Sequence, residues 1–264
     1  MASTRQRLRE NEFRRMKPGP ADDTRLFAGI AALYEKELRI PAQNVCNLRC
    51  DARFKSPLLP WHIGGEYERD PLRLVIVGRP HRQDDPAEPR PAGTLDGRRT
   101  ADERFTSSPW AFWRYTREIL GRVHGSPEAG WPRVALTTMV KCATALGVSE
   151  SDDRTTRTMK LCCLGEIGVL QKELELLAPR TIVLYTGRDY DAWVPALGWS
   201  LRQRWRDLTH PAHVVQCGGV PLHWWEGEIA GDGHPMRLLR VDHPHGKPLD
   251  AYAGLVSDWI LRGR

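Results

Sequence analysis

The segment Leu136-Thr137-Thr138-Met139-Val140-Lys141-Cys142 joins the end of an apolar run to a polar rim and a cysteine. Val134 and Ala135 extend the apolar part on the amino-terminal side. A short β-rich run of this kind is typical of a buried parallel strand. Because open α/β sheets build their sites in the loops after such strands, the segment predicts both a central strand and a place for chemistry.

Further apolar runs predict the other strands. Leu72–Gly78 precedes the segment, Thr181–Gly187 follows it, and Met236–Val241 comes last. Val220–Trp225 predicts an edge strand, because proline is poorly tolerated in a central one. Helical patterns lie between these runs, and strand–helix alternation predicts a parallel sheet with helices on its faces. We therefore expect a three-layer α/β/α sandwich around a central, mainly parallel four-stranded sheet.

The apolar periodicity also predicts helices. A helix is expected near the amino terminus, with Leu26, Ile30, Leu33, Tyr34 and Leu38 on its apolar face. A long exposed loop is expected at Ala87–Arg104, followed by a helix that begins at Phe105 and has Trp113, Thr116, Ile119 and Leu120 on its inner side. Two more helices are expected, one at Leu164–Leu177 and one at the carboxyl terminus with Leu255, Val256, Trp259 and Ile260. Each would bury one apolar face against the sheet.

Length and composition favour one main domain. The chain has 264 residues, of which 41% are hydrophobic, enough for one substantial core. We expect a basic arm and helix at residues 1–40 and the main domain at residues 41–264. Lys and Arg outnumber Asp and Glu by 39 to 33, which suits a polyanionic partner or, alternatively, is only a mild bias of a solvated surface.

The pattern of apolar residues and cysteines bears on location. No run of eighteen apolar residues occurs, and the amino terminus lacks an apolar signal core. We therefore expect a cytoplasmic protein. In a reducing compartment, six cysteines favour metal ligands or buried thiols over disulfides.

Four landmarks, in order, resemble the uracil-DNA glycosylase superfamily, most closely its iron–sulfur-containing (family 4-like) branch. Leu74–Gly78 resembles the strand before the first catalytic loop, and Phe105 resembles a phenylalanine that stacks on the extruded base. Thr138-Met139-Val140-Lys141-Cys142, followed by Leu176–Val183, is similar to the Asn-x-Val-Lys-Cys and Leu-x-Pro-x-x-Ile-Val signatures. His243-Pro244 matches the second catalytic motif. The resemblance spans roughly residues 44–260 and implies a DNA glycosylase that extrudes a base and leaves an abasic site.

The resemblance also assigns site residues. Asp84 or Asp85 would supply the carboxylate on the sugar side, His243 would donate to the base oxygen, and His81 competes as donor or water holder. The base-binding residues would be Gly78, Arg79, Pro80, Phe105 and Thr138. His245, Gly246, Lys247 and Leu249 would contact DNA, with a wedge entering the groove and Lys247 on phosphate. Core packing of Phe105, a backbone-bonded loop histidine at position 243 and a plain turn at 245–249 are the structural alternatives.

The cysteines resemble the cluster ligands of that branch. Cys46, Cys50, Cys142 and either Cys162 or Cys163 would hold a [4Fe–4S] cluster. A zinc site and buried thiols are the alternatives. Cys217 is expected to take no part.

Two departures from the family motifs change the expected substrate. The first loop reads Gly78-Arg79-Pro80-His81 without the usual acid, and Thr138 stands where the family has a base-reading asparagine. We therefore expect uracil or, more in keeping with the altered motifs, a modified pyrimidine, for example a hypermodified cytosine in invading phage DNA. The protein is expected to act as a monomer on DNA, away from membranes. A catalytically silent DNA-binding module and a hydrolase of free nucleotides are the competing functions.

Overall fold

Seven strands form one sheet in the computed structural model, which describes residues 24–38, 60–80, 98–141, 155–194, 214–229 and 235–263. They are β1 (His62–Ile63), β2 (Leu74–Gly78), β3 (Val134–Thr138), β4 (Thr181–Leu184), β5 (Val214–Cys217), β6 (Val220–Ile229) and β7 (Met236–Val241). Their order is β1-β3-β2-β4-β7-β6-β5. The four neighbours β3, β2, β4 and β7 are parallel, and β1, β6 and β5 pair antiparallel at the two sides. The sheet thus has seven strands rather than the four expected.

Helices connect the strands. The α-helices are α1 (Thr24–Leu38), α2 (Arg98–Ser107), α3 (Ala111–His124), α4 (Pro127–Gly130), α5 (Arg157–Lys160), α6 (Val169–Leu177) and α7 (Leu249–Leu261), with 3₁₀ turns at Tyr67–Arg69, Trp131–Arg133 and Arg188–Trp193 and a π-helical segment at Leu161–Glu166. The expected inner residues of α3 are buried, and so is the apolar stripe from Leu164 to Leu177. The apolar periodicity is therefore confirmed for these helices.

Alternate residues of β2 enter two separate hydrophobic clusters. Val75 and Val77 pack in a cluster with residues of α1 and α6, whereas Leu74 and Ile76 pack with residues of α3 and α7. Successive side chains of a strand point to opposite faces of its sheet. Helices therefore cover both faces of β2, and the fold is mixed α/β.

Helix α1 belongs to the core of the main domain. Ile30 and Tyr34 are fully buried in the first of these clusters, and Lys172 of α6 bonds Glu37 at 2.6 Å. The helix at the end of the predicted basic arm is thus packed on the domain, while residues 1–23 lie outside the described part of the chain.

Two expected helix boundaries are wrong. Residues 98–104, predicted as loop, belong to α2, and Phe105 lies near its end instead of beginning a helix. This helix buries only a sparse apolar set, Ala101 and Phe105, which is too little periodicity to recognise in a polar sequence. The predicted helix Leu164–Leu177 is interrupted, because Gly168 adopts a left-handed φ of +63° before α6 begins.

Strand β6 is not the predicted edge strand, because β5 lies outside it. Pro221 is tolerated for two reasons. It faces Gln216 one position beyond the closing Cys217–Val220 pair of the hairpin, where antiparallel partners exchange no hydrogen bonds. On its other side the ladder with β7 begins only at Trp224.

A buried aromatic stack fills the space beside β1 and β3. The His62 ring lies 3.7 Å from the Trp131 ring, and the Phe105 ring lies 4.0 Å from Trp131, with interplanar angles of 13° and 16°. His62 Nε2 donates to the Trp131 carbonyl oxygen at 2.7 Å. Burial lowers the pKa of His62 to about 4, although this hydrogen bond opposes the shift.

His62 should make the fold sensitive to acid. The pKa of His62 in the folded protein lies below its ordinary value of about 6.5. Between pH 4 and pH 6.5 the unfolded chain therefore binds a proton at His62 that the folded protein does not bind. The stability that neutral His62 contributes is therefore present above pH 6.5 and is lost as the pH falls towards 4, by about 3 kcal/mol in total. Urea unfolding between pH 4 and 7 should show a shallower pH dependence for His62→Gln than for the wild type. Parallel pH profiles for the two proteins would contradict this prediction.

Candidate functional site

The carboxyl ends of the four parallel strands lie at one edge of the sheet. Strand β2 is flanked by β3 on one side and β4 on the other. The connection after β3 therefore crosses β2 and adds β4 on the opposite side of it. This crossover makes the gap between β2 and β4 a topological switch point, where α/β sheets commonly bind ligands. The residues that follow β2, β4 and β7 therefore form the candidate site.

Arg79, directly after β2, reaches the segment that follows β4. Its Nη2 atom donates to Asp189 Oδ2 at 3.1 Å. Gly187, next to this contact, has a φ of +64°, and a Cβ there would lie 3.3 Å from Arg79 Nη2 and 3.4 Å from Asp242 Oδ1. A residue without a side chain thus lets the guanidinium and the Asp242 carboxylate approach one backbone position.

His243 lies in the loop after β7, where the sequence predicts the donor to the base. Its Nδ1 accepts a hydrogen bond from the backbone N–H of His245 at 3.3 Å. An imidazole nitrogen that accepts a hydrogen bond carries no proton, so the proton of the neutral ring is on Nε2. The ring therefore presents Nε2–H as its donor. The backbone-bonded alternative and the donor role are compatible, because they use different nitrogens.

Two buried tyrosines anchor the backbone on both sides of His243. The Tyr252 hydroxyl donates to the Asp242 carbonyl oxygen at 2.8 Å, and the Tyr115 hydroxyl donates to the carbonyl oxygen of Lys247. Burial raises the pKa of Tyr252, so its phenol stays protonated and remains a donor. The loop that carries His243 is therefore held at defined points rather than only by its own turn.

Asp242 is a site residue that the sequence prediction did not assign. Its Oδ2 accepts from the backbone N–H of His223 at 2.9 Å and lies 3.0 Å from His223 Nδ1. Lys247 Nζ is 3.8 Å from the same oxygen. The available signal was an acid at the carboxyl end of the last parallel strand, but His223, 19 residues away, could be found only from the strand pairing.

The residues predicted to contact DNA divide into two groups. His245 and Gly246 are exposed at the tip of the loop, where Gly246 has a φ of +74°. Lys247 Nζ donates to the Pro221 carbonyl oxygen at 3.1 Å, and Leu249 packs partly buried against the second cluster. The tip is thus exposed, whereas the lysine and leucine contact the protein.

The base-binding residues are similarly divided. Gly78 and Thr138 are partners in the β2–β3 pair, with Pro80 two residues beyond Gly78 and Thr138 3% exposed. Phe105, 4% exposed, stacks on Trp131, which precedes β3 at the strand end opposite to Thr138. The structure therefore places Gly78, Arg79, Pro80 and Thr138 at the strand ends and Phe105 in the core stack.

Some predicted residues lie outside the described part of the chain. These are His81, Asp84 and Asp85 of the first loop and Cys46, Cys50 and Cys142 of the cysteine set. Their assigned roles remain predictions.

Cys163 lies beside the end of the β3 segment. Its Sγ accepts a hydrogen bond from the backbone N–H of Lys141 at 3.4 Å, and both Cys162 and Cys163 are buried. Lys141 immediately precedes Cys142, so this contact brings Cys163 close to the chain position of a second predicted ligand. An N–H donor to sulfur suits a cysteine that carries negative charge as a cluster ligand. The described residues therefore fit this part of the predicted set.

A buried ion pair between Lys141 and Glu173 stabilises the segment that follows β3. Lys141 Nζ lies 2.7 Å from Glu173 Oε2 and donates to Thr137 Oγ1 at 2.7 Å. The Tyr34 hydroxyl donates to Glu173 Oε2 at 2.6 Å. Lys141 and Glu173 are 1% and 0% exposed. The pair joins β3 to α6 and α1 directly beneath the strand end.

One arginine of α2 and one of α3 lie over aromatic rings. The guanidinium carbon of Arg104 is 5.2 Å from the exposed ring of Trp110, and that of Arg114 is 5.3 Å from the ring of Tyr115, which bonds the loop. Arg114 and Trp110 are exposed, whereas Arg104 is partly buried. An exposed guanidinium can contact a phosphate, and an exposed indole can stack on an unstacked base.

Two kinds of feature do not occur among the described residues. No helix there has the length and apolar character needed to cross a membrane. Within the same ranges, no group of three or more His, Cys, Asp or Glu side chains is placed to hold a metal ion.

Comparison with known proteins identifies no family for this chain: no family model matches it, and no curated protein is significantly similar in sequence. The function must therefore be argued from the geometry of the strand ends and from the motifs themselves.

Proposed function

We propose that the protein is a monofunctional DNA glycosylase of the uracil-DNA glycosylase superfamily that hydrolyses the N-glycosidic bond of a modified pyrimidine or uracil. The observation that carries the proposal is His243, held by its Nδ1 so that Nε2–H is the donor, at the carboxyl end of β7, one strand away from the switch point between β2 and β4. The four parallel strands with helices on both faces support the finer description as a three-layer α/β/α sandwich.

The reaction needs help at the departing base. Water adds its oxygen to C1′ of the sugar while the C1′–N bond breaks and leaves its electron pair on the base. The negative charge collects on a base carbonyl oxygen, where Nε2–H of His243 donates a hydrogen bond. Because the anchored loop fixes this donor in advance, it stabilises the transition state without reorganisation.

The sugar side needs a carboxylate. Asp84 or Asp85 would accept the proton of the attacking water and stabilise positive charge on the sugar, with His81 as a second water holder. Asp242 holds a different position, since its Oδ2 is taken by His223. We assign Asp242 to orienting the His243 loop rather than to proton transfer.

The substrate class follows from the polar groups at the strand ends. An asparagine amide has separate donor and acceptor atoms, which can form two hydrogen bonds to a uracil edge at the same time. Thr138 has only one hydroxyl and cannot form this pair of bonds. Arg79 brings a guanidinium to the start of the first loop, where Gly78-Arg79-Pro80-His81 lacks the acid that the family usually has. These residues favour a pyrimidine with a polar substituent, as in hypermodified phage DNA, over plain uracil.

We also propose a [4Fe–4S] cluster held by Cys46, Cys50, Cys142 and Cys163, whose role would be to pin a loop and a strand end together. Cys163 is preferred over Cys162 because its Sγ bonds Lys141 N–H. Adjacent residues of a helical segment point in different directions, so only one of Cys162 and Cys163 would serve as a ligand.

The two neighbouring cysteines allow a matched test. Cys163→Ala should lose most of the iron from anaerobically purified protein and its brown colour, because one ligand is gone. Cys162→Ala should retain both. Iron and sulfide analysis with the visible spectrum measures the difference. Equal iron in both variants would contradict the assignment, and colourless wild-type protein with stoichiometric zinc would replace the cluster by a zinc site.

The proposed activity is tested with a panel of duplexes. Each carries uracil, hydroxymethyluracil or glucosylated hydroxymethylcytosine at one position, and alkali cuts any abasic site that forms. We expect strand cutting on one of the modified substrates. An enzyme that excises uracil serves as the positive control.

A second function is distinguished by the same assay. If no substrate is cut while the protein still binds duplex tightly, the function is that of a DNA-binding module without catalysis, and the exposed Arg114 and Trp110 are its candidate contacts. Loss of both cutting and binding would reject both functions.

A further inference from the structure

A cleft of about 500 Å³ opens beside the carboxyl ends of β3 and β4. Its described lining is Arg157, Lys160, Ala192 and Trp193. Arg157 and Lys160 lie on α5, which is reached from β3, and Trp193 ends the 3₁₀ turn that follows β4. The volume is that of a site for a small molecule or a single group of a larger one.

The cleft presents two cations, Arg157 and Lys160. Among the described residues, neither Arg157 nor Lys160 has a carboxylate within ion-pair distance. Lys160 Nζ donates to the Asp189 carbonyl oxygen at 3.1 Å and lies 4.1 Å from the centre of the Tyr190 ring. Both partners are neutral, so the positive charge stays available to an anion.

The two acids of the 3₁₀ turn beside the cleft, Asp189 and Asp191, contact other arginines. The carboxylate of Asp189 is bonded by Arg79, and that of Asp191 lies 2.9 Å from Arg240 Nε and accepts from its Nη2 at 3.0 Å. Burial raises the pKa of Asp191 to about 6 against the pull of Arg240, so the carboxylate is still mainly ionised at pH 7. The acids of this turn therefore pair with Arg79 and Arg240 rather than with Arg157 or Lys160.

The wall of the cleft is aromatic. Trp193 is partly buried against the first hydrophobic cluster, so its indole is supported from behind while it lines the cleft. An indole face stacks on a nucleobase, and a nearby guanidinium forks onto a phosphate. These two groups side by side match the two ends of one nucleotide.

We propose that this cleft binds one nucleotide of a DNA strand, with its phosphate on Arg157 and Lys160 and its base against Trp193. The link from Lys160 through Asp189 to Arg79 connects the cleft with the strand ends that carry the catalytic site. This inference rests on the proposed function only in naming DNA as the strand. The bound nucleotide would flank the one whose base is excised.

Binding of an unmodified, fluorescein-labelled thymidine decamer tests the cleft without any excision. Arg157→Gln should weaken binding about tenfold and lower the slope of log K against log salt by about 0.7, as expected for one lost phosphate contact on a single strand. Trp193→Leu should weaken binding by about tenfold with an unchanged salt slope, because it removes stacking and no charge. The two variants thus separate the phosphate end from the base end.

Arg133→Gln is the matched control. It removes the same charge from an exposed Arg133–Glu66 pair that precedes β3, at the opposite end of the strand, and should bind the decamer as the wild type does. Thermal unfolding of all variants checks that each is folded. Wild-type-like binding by both Arg157→Gln and Trp193→Leu would overturn the proposal.

Further outcomes separate the cleft from the catalytic site. If thymidine monophosphate competes with the decamer at equal concentration, the cleft is a mononucleotide site and the strand assignment is wrong. If the panel of modified duplexes is not cut but both cleft variants still weaken binding as expected, the glycosylase proposal fails and the cleft proposal stands. If cutting is normal while decamer binding is unaltered in both variants, the cleft proposal fails and the glycosylase proposal stands.

Discussion

His243→Gln should slow base excision by about 100- to 1,000-fold, the usual loss when one donor to a developing negative charge is removed. In the mechanism that we propose, the Nε2–H group donates to the base oxygen mainly when charge develops there, so binding of the duplex should change little. Single-turnover excision and equilibrium binding measure the two effects on the substrate that the panel identifies.

A second substrate sharpens this test. A base whose leaving nitrogen is more acidic carries its negative charge more easily and needs less help from the donor. The rate loss of His243→Gln should therefore be smaller on such a base. Equal losses of rate and binding on both substrates would recast His243 as a structural residue of its loop.

Lys141→Met should destabilise the fold by about 3–5 kcal/mol, because it leaves the carboxylate of Glu173 buried without its counter-ion. Glu173 is fully buried, and apart from Lys141 its Oε2 has only the Tyr34 hydroxyl among the described residues. The double variant Lys141→Met with Glu173→Leu removes both charges and should recover most of the loss. Urea unfolding measures all three proteins.

The partly exposed ion pair between Lys172 of α6 and Glu37 of α1 serves as a control. Lys172 Nζ lies 2.6 Å from Glu37 Oε2 with side chains 37% and 22% exposed, and it also joins α6 to α1. Lys172→Met should cost no more than about 1 kcal/mol, because water screens this pair. If Lys141→Met costs as little as Lys172→Met, the buried pair does not hold the β3 segment as we infer.

The sequence alone determined the elements whose signal is local. Continuous apolar runs at Leu74–Gly78 and Thr181–Leu184 became fully buried strands, since a strand covered on both faces has no polar side. Helical spacing identified the inner faces of α3 and α6, because burial of one stripe repeats every three or four residues. His243 was placed at a strand end by the same local reasoning.

Only the tertiary structure decided the rest. Three contacts join residues that are distant in sequence. Arg79 contacts Asp189, 110 residues away, Asp242 contacts His223, 19 residues away, and Lys141 contacts Cys163, 22 residues away. These partners are set by strand order and register, which depend on the packing of the whole sheet and leave no periodic trace in the chain. The same holds for β5, which displaces β6 from the edge, for α2, of which Ala101 and Phe105 are buried, and for Phe105, whose place in the core depends on Trp131.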